Sequence, residues 1–204
     1  MKYPCSGIIL AGGLSTRFSG NNKALISING KSILDHIYEV FSSLFEEIIL
    51  VTNDPLEYLG WNFNVVTDIY QIRSSLTGIH AGLFYSTNPY SFFTACDTPF
   101  LKTELVDMIA NNIQPEIDVV IPEAQDGLQP LCAVYSKDCL TPVERHLAQK
   151  KLKIRQFFQK VRTKKIPEKL LREKDPDLLS FLNINTPDDL DRAKQIIQTQ
   201  KEIL

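Results

Sequence analysis

The stretch Gly7-Ile8-Ile9-Leu10-Ala11-Gly12-Gly13-Leu14-Ser15-Thr16-Arg17-Phe18, followed by Asn22-Lys23-Ala24-Leu25, carries more information than any other part of the chain. An apolar run suited to a strand buried on both faces ends abruptly in two glycines, then small hydroxyl residues, an arginine and a lysine. Glycines at such a turn let backbone N–H groups approach a phosphate closely, and Arg17 and Lys23 supply positive charge for a triphosphate. Neither common phosphate loop is present, because G-x-x-x-x-G-K-[ST] and G-x-G-x-x-G both fail on spacing. From the glycines alone, a tight strand-to-helix turn with two solvated cations explains the stretch as well as a nucleotide loop does.

Outward from this stretch, short β-rich runs alternate with longer helical ones, the pattern of an α/β chain with a largely parallel sheet. Candidate strands are Cys5–Leu10, Glu47–Thr52, Asn64–Thr67, Ser91–Cys96, Asp118–Ile121 and Leu131–Tyr135. Ile33, Leu34, Ile37, Val40, Phe41 and Leu44 recur at helical spacing, as do Leu105, Met108 and Ile109 in a helix opened by Thr103 and Glu104. Thr186-Pro187-Asp188-Asp189 begins the last helix with an N-cap, a first-turn proline and acids facing the dipole. No repeat or Gly/Ser linker divides the chain. Asp175-Pro176-Asp177 is the best candidate for a local break, and residues 1–204 read as one domain.

With 204 residues, 44% hydrophobic and 23% charged, the chain can bury a sizeable core, and neither a disordered nor a collagen-like reading survives. No apolar run approaches the roughly eighteen residues of a membrane span, and Gly7 to Leu14 lacks the flanks of a secretory signal. Four scattered cysteines without a C-x-x-C pair point to a reduced, cytoplasmic protein. The formal net charge of −2 hides an asymmetry: eleven of the 22 Lys and Arg residues lie between Lys150 and Lys174, beside only two acids, Glu168 and Glu173. Phe157 and Phe158 lend this segment a nucleic-acid flavour, but no recognised module is present. Leu152, Ile154, Phe157, Phe158 and Val161 instead suit the apolar face of a helix whose other face is solvated, leaving a few cations to guide an anionic substrate or acidic partner.

The full string L-A-G-G-x-S-x-R-[FM]-x-G-x-x-K closely resembles the nucleotide-binding signature of the molybdenum cofactor guanylyltransferases, part of the wider nucleotidyltransferase superfamily. The resemblance continues in order through Asn29-Gly30-Lys31, Val51-Thr52-Asn53-Asp54, Thr77-Gly78-Ile79-His80-Ala81-Gly82-Leu83, Cys96-Asp97-Thr98-Pro99-Phe100-Leu101, Gln129-Pro130-Leu131 and Asn183-Ile184-Asn185-Thr186-Pro187-Asp188-Asp189-Leu190. It implies a three-layer, Rossmann-like α/β fold with a mostly parallel central sheet. It also implies transfer of GMP from Mg-GTP to molybdopterin, giving the molybdopterin guanine dinucleotide cofactor and pyrophosphate. On the same resemblance, the backbone at Leu10, Ala11, Gly12 and Gly13 wraps the GTP, while Arg17 and Lys23 face its phosphates. Asn53 and Asp68 lie near the guanosine, Asp97 binds magnesium, and Asn183 and Asn185 lie close to the metal and the pterin. Lys23, Arg17 and Asp97 form the catalytic set. The implied partners are GTP, molybdopterin and a delivery protein or molybdoenzyme that receives the product, with neither nucleic acid nor a membrane among them.

Two departures from the family pattern stand out. Asp68 is followed by Ile69-Tyr70-Gln71-Ile72-Arg73-Ser74-Ser75-Leu76 where many members carry a Pro/Gly-rich stretch, and Asn22 stands where an aspartate often precedes the lysine. The altered loop keeps open a cytidylyltransferase acting on the same cofactor with CTP. A sugar-phosphate nucleotidyltransferase resembles the chain less, and a non-catalytic nucleotide-binding adaptor would have little use for an intact Lys23 and Asp97.

Asp97 also has a case of its own. It ends the apolar run Ser91–Cys96, at the carboxyl edge where open α/β sheets place their ligands, and magnesium usually takes one or two carboxylates plus phosphate oxygens and waters. Asp68 closes Val65-Val66-Thr67 and on its own reads equally as a turn residue. His36, His80 and His146 lie at no metal-ligand spacing, and His36 and His80 are expected on helix surfaces. Cys96 and Cys132 read as small core residues.

Overall fold

The computed structural model describes residues 3–12 and 22–202, so Gly13 and Arg17 of the glycine stretch lie outside the described residues. In chain order the elements are β1 (Cys5–Leu10), the hairpin β2 (Ser27–Ile28) and β3 (Lys31–Ser32), α1 (Ile33–Leu44), β4 (Ile48–Val51), β5 (Asn64–Val66), α2 (Ser75–Tyr85), β6 (Tyr90–Ala95) and α3 (Thr103–Ala110). They continue with β7 (Val119–Ala124), β8 (Gly127–Leu128), β9 (Cys132–Ser136), α4 (Leu140–Ala148), α5 (Ile154–Phe157), β10 (Thr163–Pro167), α6 (Glu168–Lys174) and α7 (Pro187–Glu202). All six expected strands are present with small shifts at their ends. The main sheet runs in the order β10-β7-β9-β6-β1-β4-β5, with β8 paired to β7. β1 pairs in parallel with β4 and β6, whereas β9 runs antiparallel to both its neighbours.

Alternation along these strands builds the layers, since successive side chains leave opposite faces of a sheet. Cys5 and Ile9 of β1, Phe92 of β6 and Val134 of β9 join one core with α1, α3, Leu171 of α6 and Ala193 of α7. Ile8, Phe93, Ala133 and Tyr135 join the other with α2, Val143 and Leu147 of α4, and Phe157. The mostly parallel sheet between two helical layers is the α/β architecture expected. α1 opens on a capping box in which Ser32 Oγ accepts from Asp35 N at 3.0 Å and Asp35 Oδ2 accepts from Ser32 N at 2.9 Å. α2 lies so close to the sheet that a Cβ on Gly82 would meet Phe93 at 2.6 Å and Ile8 at 2.7 Å.

The basic segment departs from expectation. No single helix spans it: α5 and a 3-10 turn at Phe158–Lys160 are followed by β10, which extends the sheet beside β7. The apolar positions still face inward, with Phe157 fully buried against Tyr135 at 6.1 Å and Phe158 at 4.8 Å between ring centroids. The chain is turned into a strand by Asp118, whose N–H donates to Arg162 O at 2.8 Å and whose Oδ2 accepts from Arg162 N at 2.7 Å. Nor is Asp175 part of a loose break. It is fully buried, 2.9 Å from Lys102 Nζ, and Oδ2 accepts from Ser180 N at 2.7 Å.

Candidate functional site

β1, β4 and β6 run parallel and end side by side, and a cleft of about 250 Å³ opens at their carboxyl edge. Its walls are Leu10, Ala11 and Gly12 from the end of β1, Asn22 and Lys23, Asp68, Ser74, Ser75 and Gly78 from the start of α2, Cys96 and Asp97 beyond β6, and Leu131 and Asn185. A second hollow of about 270 Å³ shares Gly12, Asp68, Ser74 and Ser75 with the first and adds Asn53, Asp54 and Arg73. The first turn of α2, capped by Ser74, therefore faces both, and a helix N-terminus favours negative charge.

Lys23 begins a 3-10 turn, Lys23–Leu25, capped by Asn22 Oδ1, which accepts from Ala24 N at 3.0 Å. Lys23 Nζ donates to Asn185 Oδ1 at 2.9 Å, joining residues 162 positions apart. Asn185 is in turn fixed by Asp189, whose Oδ2 accepts from the backbone N–H of Asn185 at 2.9 Å and of Thr186 at 2.8 Å. Those two bonds and one from Thr186 Oγ1 hold the Asp189 carboxyl below the usual range. The departure at position 22 also acquires a reason. Asn22 Nδ2 donates to Tyr58 Oη at 2.7 Å and to the Glu57 carboxylate, and an ionised carboxylate at 22 could not make the second of these contacts.

Asp97 has the opposite surroundings to Asp189. Burial pushes its pKa up, against the nearby charge of Lys23, and among the described residues no donor reaches its buried Oδ1. A half-buried carboxylate kept short of partners beside a lysine suits a divalent cation shared with phosphate oxygens. Among the described residues no three His, Cys, Asp or Glu side chains cluster to hold a metal by themselves, so such a cation would depend on its substrate for ligands. Asp68 is also raised by burial, offset by a hydrogen bond from Asn53 Nδ2 to Oδ2 at 3.1 Å and electrostatically by nearby His80; among the described residues no donor reaches its buried Oδ1.

Leu10, Ala11, Gly12, Lys23, Asp68, Asp97 and Asn185 thus converge on one cleft, and Asn53 joins them through the adjoining hollow. Asn183 does not. It is exposed and lines a separate hollow with Gln125, Arg172, Asp189 and Arg192. His80 corrects the sequence reading, being 2% exposed rather than on a helix surface, with Nε2 3.3 Å from Glu144 Oε1. The burial of α2 from both sides explains this: Leu76, Ile79, Ala81 and Leu83 around His80 leave the helix no solvated stripe. Ser74, Ser75 and Asp189 escaped the sequence reading, although the capping pattern Thr186-Pro187-Asp188-Asp189 contained the signal for the last. The four cysteines are free, and burial raises the thiols of Cys5, Cys96 and Cys139 to about 12.

Comparison with known proteins supplies the remaining findings. The MobA-like NTP transferase domain matches residues 7–166. A molybdenum cofactor guanylyltransferase of Desulfosudis oleivorans is 47% identical over 193 residues, covering 95% of this chain and 96% of that protein. A probable molybdenum cofactor guanylyltransferase of Natranaerobius thermophilus is 34% identical over 197 residues, covering 94% and 96%. The crystal structure of molybdopterin-guanine dinucleotide biosynthesis protein A from Archaeoglobus fulgidus aligns with a TM-score of 0.83 at 29% identity, covering 95% and 99%.

Proposed function

The chain belongs to the MobA-like NTP transferase family, and from that premise we propose that it transfers GMP from GTP to molybdopterin, forming the guanine dinucleotide cofactor and releasing pyrophosphate. The observation that carries this reading is the convergence of Gly12, Lys23, Asp68 and Asp97 on one cleft at the carboxyl edge of a parallel sheet. In the reaction a terminal phosphate oxygen of the pterin forms a bond to the α-phosphorus of GTP. The bond from that phosphorus to the bridging oxygen breaks, and pyrophosphate leaves with the electron pair.

Such transfers ask little covalent chemistry of the protein and much positioning and charge stabilisation. Lys23, steered by Asn185, offsets charge that builds on the departing pyrophosphate, and Arg17 from the glycine stretch assists it. The backbone at Leu10, Ala11, Gly12 and Gly13 wraps the nucleotide. The carboxylate of Asp68, oriented by Asn53, is an acceptor suited to the N–H groups on the edge of guanine. Magnesium, bound by Asp97 together with phosphate oxygens, would neutralise charge on the triphosphate. Asn185, and Asn183 from its neighbouring hollow, belong to the pterin side. Residues 1–204 act as one unit in this reading. Four free cysteines suit a cytoplasmic enzyme that hands its product to a molybdoenzyme or delivery protein, and no described helix is long and apolar enough to cross a membrane.

The direct test is pyrophosphate release in the presence of molybdopterin with GTP, CTP, ATP or UTP. Preference for GTP is expected. Preference for CTP would move the assignment to the cytidylyltransferase branch, and GTP binding without pyrophosphate release would make the protein a non-catalytic binder.

A further inference from the structure

We infer that buried His80 and the loop residue Tyr70 form a positioning pair for nucleobase recognition, holding the strap 68–74 so that Asp68 and Asn53 face the incoming base. The inference rests on the proposed nucleotide site and deepens it.

The strap is pinned at three places. At its start Asp68 Oδ2 accepts from Asn53 Nδ2 at 3.1 Å. At its end Thr77 Oγ1, fully buried in α2, donates to Ile72 O at 2.7 Å, and Ser74 caps the helix. In the middle the Tyr70 ring meets the His80 ring edge to face, 4.9 Å between centroids and 85° between planes. His80 is itself fixed, 2% exposed, stacked on Phe84 at 6.1 Å and 3.3 Å from Glu144 of α4. The strap is thereby tied through one imidazole to the helical layer behind the sheet.

Asp68 shows why a restraint is needed. Its Oδ1 is buried and receives no donor from the described residues, so the carboxylate would regain water if the strap swung outward. Desolvation favours opening, and the contact between Tyr70 and His80 opposes it. Ile69-Tyr70-Gln71-Ile72 contains no glycine, and its tyrosine supplies the ring that packs on His80. The two rings meet each other, His80 also meets Phe84 and Glu144, and neither residue of the pair lines the cleft that holds Lys23 and Asp97, so its contribution is assigned to the base.

The experiment measures the affinity of the full chain, with magnesium, for its tightest-binding nucleoside triphosphate and for inorganic tripolyphosphate. Tyr70→Ala and His80→Ala should each weaken nucleotide binding about tenfold, the upper range for an aromatic pair, and leave tripolyphosphate affinity unchanged. The double variant should be no weaker than either single one, and Tyr70→Phe should bind as the wild type does. If His80→Ala fails to fold, Tyr70→Ala in the half-buried loop decides alone. Unchanged nucleotide affinity in Tyr70→Ala, or equal loss for nucleotide and tripolyphosphate, would overturn the inference. A wild type that prefers a nucleotide other than GTP would instead count against the proposed function, leaving the strap to be judged on that nucleotide.

Discussion

Asp97 stands just beyond β6 and Asp118 just ahead of β7, and the same sheet treats the two carboxylates in opposite ways. Asp118 receives the backbone N–H of Arg162 at 2.7 Å, its Nε at 3.1 Å and its Nη2 at 2.6 Å, and the guanidinium holds its pKa below the usual range. Asp97, half-buried in a different setting, is raised by desolvation and keeps an oxygen without a donor among the described residues. A carboxylate whose bonds are all filled by its own chain fastens one strand to the next. One left short at the carboxyl edge, beside a lysine, is poised for something that arrives. What separates the two aspartates within one fold is who supplies their partners.

The comparison breaks most sharply at Asp97. Asp97→Ala should lower pyrophosphate release about a hundredfold or more in steady-state assays, as loss of a metal-anchoring group would. Lys23→Ala should lower it by roughly tenfold or more, because Asn185 cannot replace the charge. Near-wild-type rates in both variants would refute the assignment.

On the other side, Asp118→Asn should leave turnover intact and lower the Tm by about 2–6 °C. The sign of its pH dependence follows from the lowered folded pKa. The stabilisation is fully present above the unfolded carboxyl value, near about 3.9, and is lost as pH falls through the lower folded value. Melting curves should therefore show a gap between wild type and variant that is full at neutral pH and closes in acid. Asn22→Asp should have the smallest effect, a fall of about 1–3 °C in Tm with a modest rise in KM for GTP, since it sets a carboxylate against Glu57.

Much of this was legible in the sequence, for reasons that differ by region. β1, β4 and β6 announced themselves because strands covered on both faces are apolar throughout, as in Ile8-Ile9-Leu10 and Ile48-Ile49-Leu50. β10 did not, because in Thr163-Lys-Lys-Ile-Pro167 only Ile166 is buried, and lysines with a proline on a sheet edge mask any alternation. Asp97 could be placed from its run alone, but its missing donor could not, since that depends on the surroundings of a loop. The bond between Lys23 and Asn185 joins distant segments that no local pattern couples. His80 misled because a lone histidine on a helix usually meets water, and only the helix's apolar character on all sides argued otherwise.

The most direct measurement places Asp97→Asn and Asp118→Asn side by side, recording pyrophosphate release from GTP with molybdopterin and the Tm of the ligand-free protein at neutral pH. With its folded pKa raised, ionised Asp97 costs stability above that value, so its neutral replacement should melt higher than wild type and turn over almost nothing. Asp118→Asn should melt lower and keep its rate. An active Asp97→Asn, or one that melts lower in step with Asp118→Asn, would contradict the view that Asp97 is held short of partners for the chemistry.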